Sequence, residues 1–114
     1  MGYKKIPNLY KEREILDLFK EVYALEKIHG TSAHVGYIMN NEHPKGKLIL
    51  FSGEQQKTFE KLFDHKKLEE EFQKFGAHSL FEGITIYGEA YGGKCQGMSK
   101  TYGPELRFVA FEVK

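Results

Sequence analysis

The sequence has a single cysteine, three prolines, no tryptophan and almost no net charge. One cysteine, Cys95, excludes a disulfide within the chain and a multi-cysteine metal cluster. Seventeen Lys and Arg residues against sixteen Asp and Glu residues leave a formal charge of +1, which excludes a chain-wide attraction to nucleic acid or membranes. No apolar run approaches membrane-spanning length, and the polar start MGYKKIPN does not resemble a signal peptide. These absences predict a soluble intracellular protein.

What the sequence does contain is aromatic residues and glycine. Aromatic residues make up 14% of the 114 positions, with nine Phe and seven Tyr, and most of the phenylalanines recur at core-like spacings. The chain is long enough for one domain with a hydrophobic core, and too short for two. The glycines crowd between Gly83 and Gly103, which predicts a loop-rich working surface there.

Hydrophobic spacing predicts the elements of the first half of the chain. Apolar residues at three- and four-residue intervals predict an amphipathic helix over residues 9–21. From Val22 the pattern alternates and predicts a strand through residue 28, in which Lys27 and Glu26 point to opposite sides. Further strands are predicted at 33–39 and 47–51, joined by the turn-forming residues 40–46.

The second half predicts two helices followed by two strands. Two helical stripes run through Phe59 and Phe75, with Asp64 as the cap of the second helix and Gly76 as its end. An alternating strand is predicted at 82–91, then a loop at 92–104 with little that could pack, and a last strand at 106–113. The order predicts an α+β fold with mostly antiparallel sheets and flanking helices.

Lys27, His29 and Gly30 are the first candidates for chemistry. A buried ammonium without a partner is costly, so a lysine in an apolar strand has either an edge position or a function. Lysine can act as a nucleophile once burial or nearby positive charge favours its neutral form. His29 lies two residues further on the same side of the predicted strand, and Gly30 lets a phosphate approach the backbone. Spacing alone leaves both interpretations of Lys27 open.

Three ordered stretches resemble a known family. "EKIHGTS", residues 26–32, resembles the Lys-x-x-Gly motif of covalent nucleotidyltransferases, in the form found in phage-type RNA ligases that seal nicks in duplex RNA. "IYGEAYGG", residues 86–93, is similar to the family's third motif, and "RFVAFEVK", residues 107–114, is similar to the strand that follows it. The resemblance implies the N-terminal portion of an ATP-dependent RNA ligase adenylation domain, with a partial nucleotidyltransferase fold of the ATP-grasp-like type.

The resemblance also implies a role for each motif residue. Lys27 would attack the α-phosphate of ATP to form lysyl-AMP, and His29 would orient the phosphates or the departing pyrophosphate. Glu89 would hold the ribose or a metal-bound water, and Phe111 would stack on adenine beside Glu112. The implied nucleotide-binding set is Glu26, Ile28, Gly30, Glu89, Phe111 and Glu112.

The implied ligands follow from the same reaction. They are ATP, Mg²⁺ or Mn²⁺, and RNA with 5′-phosphate and 3′-hydroxyl ends. The role would be RNA repair or RNA editing in the cytoplasm, or in the host cytoplasm if the protein is viral. Carboxylates such as Glu89 suit magnesium, directly or through water. Lys94 and Lys100 in the glycine-rich loop are candidates for the RNA backbone. No membrane partner is implied, and the full-length protein is expected to be a monomer.

Ordinary structural roles compete with several of these assignments. Glu89 could be a solvated or capping residue, and Phe111 beside Val109 could belong to the core. Lys45 and Lys47 could simply keep a hairpin end soluble. Four histidines show no metal-ligand spacing with Cys95, namely His34, His43, His65 and His78.

The match to the family is incomplete. The stretch "LILFSGEQQK" has no arginine for a phosphate, with Lys57 as a poor substitute, and neither the later Glu-Gly strand nor the Lys-x-Lys strand occurs by Lys114. We therefore expect residues 1–114 to be the front of a catalytic domain in a longer protein, and to react poorly in isolation. Two alternatives stay open. One is a non-catalytic module that binds nucleotide or RNA, and the other is a DNA ligase or capping enzyme, which more often has an acidic residue where His29 stands.

Overall fold

The computed structural model describes residues 4–5, 10–18, 20–76 and 83–114. In chain order its elements are a 3-10 helix at Arg13–Asp17, strand β1 at Thr31–Ile38, strand β2 at Lys47–Ser52, helix α1 at Gln56–Glu60, helix α2 at His65–Gly76, strand β3 at Gly83–Gly92, a 3-10 helix at Cys95–Gly97, helix α3 at Ser99–Tyr102 and strand β4 at Leu106–Val113.

The four strands form one antiparallel sheet in the order β2-β1-β3-β4. β1 and β2 form a hairpin, and β3 returns after the two helices to pair with the other side of β1. β3 is therefore a central strand, flanked by β1 and β4. The three segments that carry the family resemblance thus lie on or directly before adjacent strands of the sheet.

Helices α1 and α2 cover one face of this sheet and form the core. Directly opposite residues of antiparallel strands share a face, so Leu50, Val35 and Ile86 lie side by side there. Phe59 of α1 is fully buried against this face, and its ring contacts that of Phe108 with 5.4 Å between centroids. Burial of such aromatic rings supplies most of the stabilisation of a small core.

Tyr37 connects the sheet, α2 and the β1–β2 turn. Its ring is fully buried and stacks on Phe72 with 5.5 Å between centroids. Its hydroxyl donates to the Lys45 carbonyl at 2.8 Å and accepts from the Gln73 amide at 3.3 Å. Gly46 has a φ of 88° and lies against the same ring, where a side chain would clash. One residue of β1 thereby holds two neighbouring segments in place.

The opposite face of the sheet, here called the Glu89 face, carries Phe51, His34, Tyr87 and Glu89. The register places His34 between Phe51 and Tyr87, with centroid distances of 4.9 Å and 5.7 Å to their rings. His34 is 9% exposed, and its Nδ1 is enclosed with no hydrogen-bond partner among the described residues. Burial lowers the pKa of His34 below its ordinary value of 6.5.

Most of the predicted elements are present. The structure confirms an α+β fold with an antiparallel sheet and flanking helices, and the last strand has the predicted bounds. Asp64 caps α2 as predicted, since its carboxylate accepts from the Lys67 backbone N–H at 3.1 Å. β1 and β2 match their predicted strands within two residues, and β3 begins at Gly83, next to Glu82, which lies outside the described residues.

Two predictions for the front of the chain were wrong. Of the predicted helix at 9–21, only the 3-10 helix Arg13–Asp17 forms in the part that the structure describes, which excludes residues 9 and 19. Residues 21–29, all described, have no regular secondary structure where a strand was predicted. A strand needs a neighbour for its backbone hydrogen bonds, and none of the described strands pairs with this segment.

The predicted loop at 92–104 is also more ordered than expected. It contains a 3-10 helix and α3, and Cys95 within it is fully buried.

Within the described parts of the chain, no helix has both the length and the apolar character needed to cross a bilayer.

We expect Phe59→Ala to lower the free energy of unfolding by about 3–5 kcal/mol, because it removes a buried ring and leaves a cavity. Equilibrium unfolding in urea measures this change. Tyr23→Ala is the control, because Tyr23 is 96% exposed, and it should change the free energy by less than about 0.5 kcal/mol. Equal losses in the two variants would contradict this account of the core.

We expect His34→Phe to change the pH dependence of stability. The lowered pKa means that, below pH 6.5, the unfolded chain takes up a proton on His34 before the folded chain does. The unfolding free energy that depends on neutral His34 is fully present above pH 6.5, and it is lost as the pH falls towards the pKa of His34 in the folded protein. The wild type should therefore lose unfolding free energy relative to the variant on acidification, by at most about 1.4 kcal/mol per pH unit. Parallel stability curves from urea unfolding at each pH would exclude His34 as the cause.

Candidate functional site

The segment that carries Lys27 lies on the surface. Lys27 and Glu26 are exposed, and Ile28 is half-buried. Lys27 makes no hydrogen bond or ion pair with any residue that the structure describes. The expectation of a lysine buried in a strand was therefore wrong, because the segment has no strand partner to cover it. Its amine is open to an incoming ligand.

Two hydrogen bonds attach the end of this segment to the sheet and to the glycine-rich loop. The Gly30 backbone N–H donates to Oε1 of Glu89 at 3.2 Å. The preceding N–H, of His29, donates to the hydroxyl of Tyr102 at 3.1 Å. The residues two and three positions after Lys27 are thus held beside β3 and α3.

Gly30 lies close to β3 because it has no side chain. A Cβ at this position would lie against the Ala90 carbonyl. The next residue, Thr31, is paired with Ala90 in the ladder, so the chain approaches β3 at this point before it enters β1. Gly30 thus has a steric reason to be a glycine, namely its close approach to the protein backbone.

Glu89 is half-buried on β3, between Ser32 of β1 and Val109 of β4. Its contact with Gly30 is a charge-assisted hydrogen bond, which is stronger than one between neutral groups. A carboxylate has two oxygens, so one bond leaves it able to accept from a ribose hydroxyl or a water. Glu89 therefore has a specific contact in this structure, and is not simply a solvated strand residue.

Phe111 and Glu112 lie together on the neighbouring strand. The register between β3 and β4 shifts next to Tyr87, so that Phe111 and Glu112 together oppose that one residue. Phe111 is 54% exposed, which excludes the interpretation of a core residue. Glu112 is half-buried, and its carboxylate lies 3.8 Å from the Lys114 amine. The bulge thus places the partly exposed Phe111 ring near Tyr87, which lies two residues before Glu89 on β3.

The glycine-rich loop is fastened to the turn after β2. The Glu54 carboxylate accepts from the backbone and side-chain N–H groups of Gln96, at 3.0 Å and 3.2 Å. The Gln55 amide lies against Cys95, and with its oxygen facing the loop it accepts from the backbone N–H groups of Lys94 and Cys95 at 3.1 Å. Lys94 and Lys100 are both exposed on this fixed loop.

Burial raises the pKa of the Cys95 thiol. A protonated, enclosed thiol is neither a nucleophile nor a metal ligand. The described residues hold no group of three or more His, Cys, Asp or Glu side chains that could bind a metal ion. Of the four histidines that show no metal-ligand spacing with Cys95, His78 lies outside the described residues.

Lys57 lies in the helix layer. It lies on α1, which covers the face of the sheet opposite Glu89. Together with residues of α1 and α2 it lines a shallow, open depression whose other members are Glu60, Lys61, Phe63 and His65.

Sequence reasoning missed Tyr102, Glu54 and Gln55. Tyr102 contacts a residue 73 positions away, and Glu54 contacts one 42 positions away. No periodicity or motif signals such contacts. The structure brings Gly30 together with Glu89, and it places the loop of Lys94 and Lys100 next to His29 through Tyr102.

Comparison of the chain with protein-family models, with curated proteins and with solved structures finds no match in any of the three. The resemblance to RNA ligases therefore depends on the motif residues themselves. Its consequences for this chain are proposals, supported by how those residues are arranged.

Proposed function

We propose that this protein is an ATP-dependent RNA ligase in which Lys27 carries the adenylyl group. The observation that best supports the proposal is the 3.2 Å hydrogen bond from the Gly30 backbone to Glu89. It joins the first motif to the third, across 59 residues of sequence. Chance similarity of short motifs does not require that their residues meet.

The proposed reaction has three transfers. The neutral amine of Lys27 attacks the α-phosphorus of ATP, a nitrogen–phosphorus bond forms, and pyrophosphate leaves while the amine loses its proton to solvent. The RNA 5′-phosphate then attacks the adenylyl phosphorus and releases Lys27. Finally an adjoining 3′-hydroxyl attacks the activated 5′-phosphate, so that a phosphodiester forms and AMP leaves.

The exposure of Lys27 affects how the first transfer can proceed. An accessible amine can reach the α-phosphate directly, but the free protein does not supply the burial that favours a neutral amine. Under the proposal, bound ATP covers segment 21–29 and reduces its contact with water. His29, on the same exposed segment, is near enough in sequence to contact the phosphates.

Phe111 and Glu112 suit the adenosine end of the nucleotide. An aromatic face that stacks on a base contributes about 1–3 kcal/mol. The partly exposed Phe111 ring on β4 has the accessibility that this role requires. Glu89 on the adjacent β3 is then the residue placed to accept from the ribose.

A divalent ion would have to rely on the nucleotide for most of its ligands. Glu89 is the candidate carboxylate, and one of its oxygens already accepts from Gly30. The Glu89 carboxylate thus suits a contact with Mg²⁺ or Mn²⁺ through a water molecule. Such an ion, when bound, offsets phosphate charge.

A non-catalytic module that binds nucleotide or RNA is the second candidate. The exposure of Lys27 favours it, because none of the described residues buries the amine or forms a hydrogen bond with it. Both functions use Glu89 and Phe111 for binding. They differ in whether Lys27 becomes covalently modified.

We expect the full-length protein, incubated with Mg²⁺ and ATP labelled at its α-phosphate, to acquire label that survives denaturation. Lys27→Arg should abolish this label, because arginine keeps its proton and cannot attack. Denaturing gels measure the label, and mass spectrometry of peptides locates the AMP. Lys45→Arg is the matched control and should label like the wild type.

Label on the Lys27→Arg protein would reject the assignment of the nucleophile. Binding of ATP by the wild type without covalent label would favour the non-catalytic module. Sealing of a nicked duplex with RNA, compared with DNA, on the 3′-hydroxyl side then distinguishes an RNA ligase from a DNA ligase.

A further inference from the structure

Among the described residues of the glycine-rich loop, Tyr102 is the one whose side chain forms a hydrogen bond with the backbone of the Lys27 segment. Its hydroxyl oxygen accepts from the His29 N–H at 3.1 Å. The family motifs do not include Tyr102, and the bond connects positions 73 residues apart. The contact is therefore a property of this fold.

Contacts of its ring and hydrogen bonds of its backbone hold Tyr102 in place. The ring meets Tyr91 of β3 edge to face, with 5.5 Å between centroids. The Tyr102 backbone N–H donates to the Met98 carbonyl at 2.9 Å, and the Gly93 N–H donates to the Gly103 carbonyl at 3.0 Å, which closes the loop. The ring contact with β3 and the hydrogen bonds within the loop thus restrict where the hydroxyl can lie.

The contact of Tyr102 adds to that of Glu89. Two successive backbone N–H groups, those of His29 and Gly30, donate to acceptors on different elements. One bond alone leaves the chain free to rotate about it, whereas two fix both the position and the direction of the backbone. Lys27 lies two residues before the first of them, in a segment with no secondary structure to hold it.

We propose that Tyr102 is a positioning residue for Lys27, which acts by holding the backbone at His29 so that the amine points towards the nucleotide. This role rests on the proposed function of Lys27 as the adenylated residue. A nucleophile held in a reactive geometry reacts faster than a mobile one, because less freedom is lost at the transition state. The effect should thus appear in the rate of adenylation and leave ATP binding unchanged.

Tyr102→Phe tests this role, because it keeps the ring and its contact with Tyr91 and removes only the acceptor. We expect the single-turnover rate of AMP transfer to Lys27 at saturating ATP to fall about five- to tenfold, as for the loss of one hydrogen bond. The ATP concentration for half-maximal rate should stay the same. Tyr23→Phe is the matched control, since Tyr23 lies in the same segment and is 96% exposed.

A second measurement does not depend on activity. Amide hydrogen exchange at His29 should become several-fold faster in Tyr102→Phe and stay unchanged in Tyr23→Phe, because only the first variant removes the acceptor of that N–H. Unchanged exchange at His29 would overturn the proposal.

The combined outcomes separate the two proposals. If the wild type labels and Tyr102→Phe labels at the same rate, the positioning role is rejected and the ligase assignment stands. If the wild type takes no label, the ligase assignment fails, and the exchange rate at His29 still decides whether Tyr102 holds the segment. A loss of rate matched by a loss of thermal stability and weaker ATP binding would assign Tyr102 a purely structural role and overturn the proposal.

Discussion

The hydrogen bond between the Gly30 backbone and the Glu89 carboxylate is the interaction on which the candidate site depends. Without it, the hydrogen bond to Tyr102 would be the only one that holds the Lys27 segment near β1 among the described residues. The bond forms because a glycine can lie against the Ala90 carbonyl and because β3 presents a half-buried acceptor there. Backbone donors that leave a strand need such partners, and here the partner is also a candidate ligand for the nucleotide.

The sheet separates the hydrophobic core from the candidate site. One face packs against Phe59 and Phe72 and holds the core, while the other carries Glu89, Tyr87 and the buried His34. Because side chains alternate along a strand, each residue of β3 contributes to one face only. Substitutions at the site can therefore be made without opening the core, which is what allows a loss of chemistry to be distinguished from a loss of folding.

The strands were predictable because alternating apolar residues and clusters of turn-forming residues are local signals, as at 47–51 and 106–113. The same alternation at residues 22–28 misled, since a strand also requires a neighbouring strand, and pairing is not visible in local sequence. The proximity of Gly30 and Glu89 could be expected only through the motif resemblance. Tyr102 and Glu54 could not be expected at all, because their partners lie 73 and 42 residues away and carry no pattern.

The enclosed position of Cys95 has a practical consequence. The sequence has no other thiol, and this one is fully buried with a raised pKa. Since the thiolate is the reactive species, peroxide and alkylating reagents meet a protected sulfur for as long as the loop stays fastened to Glu54 and Gln55. The rate at which the Cys95 sulfur is modified would thus report how often the loop detaches from Glu54 and Gln55.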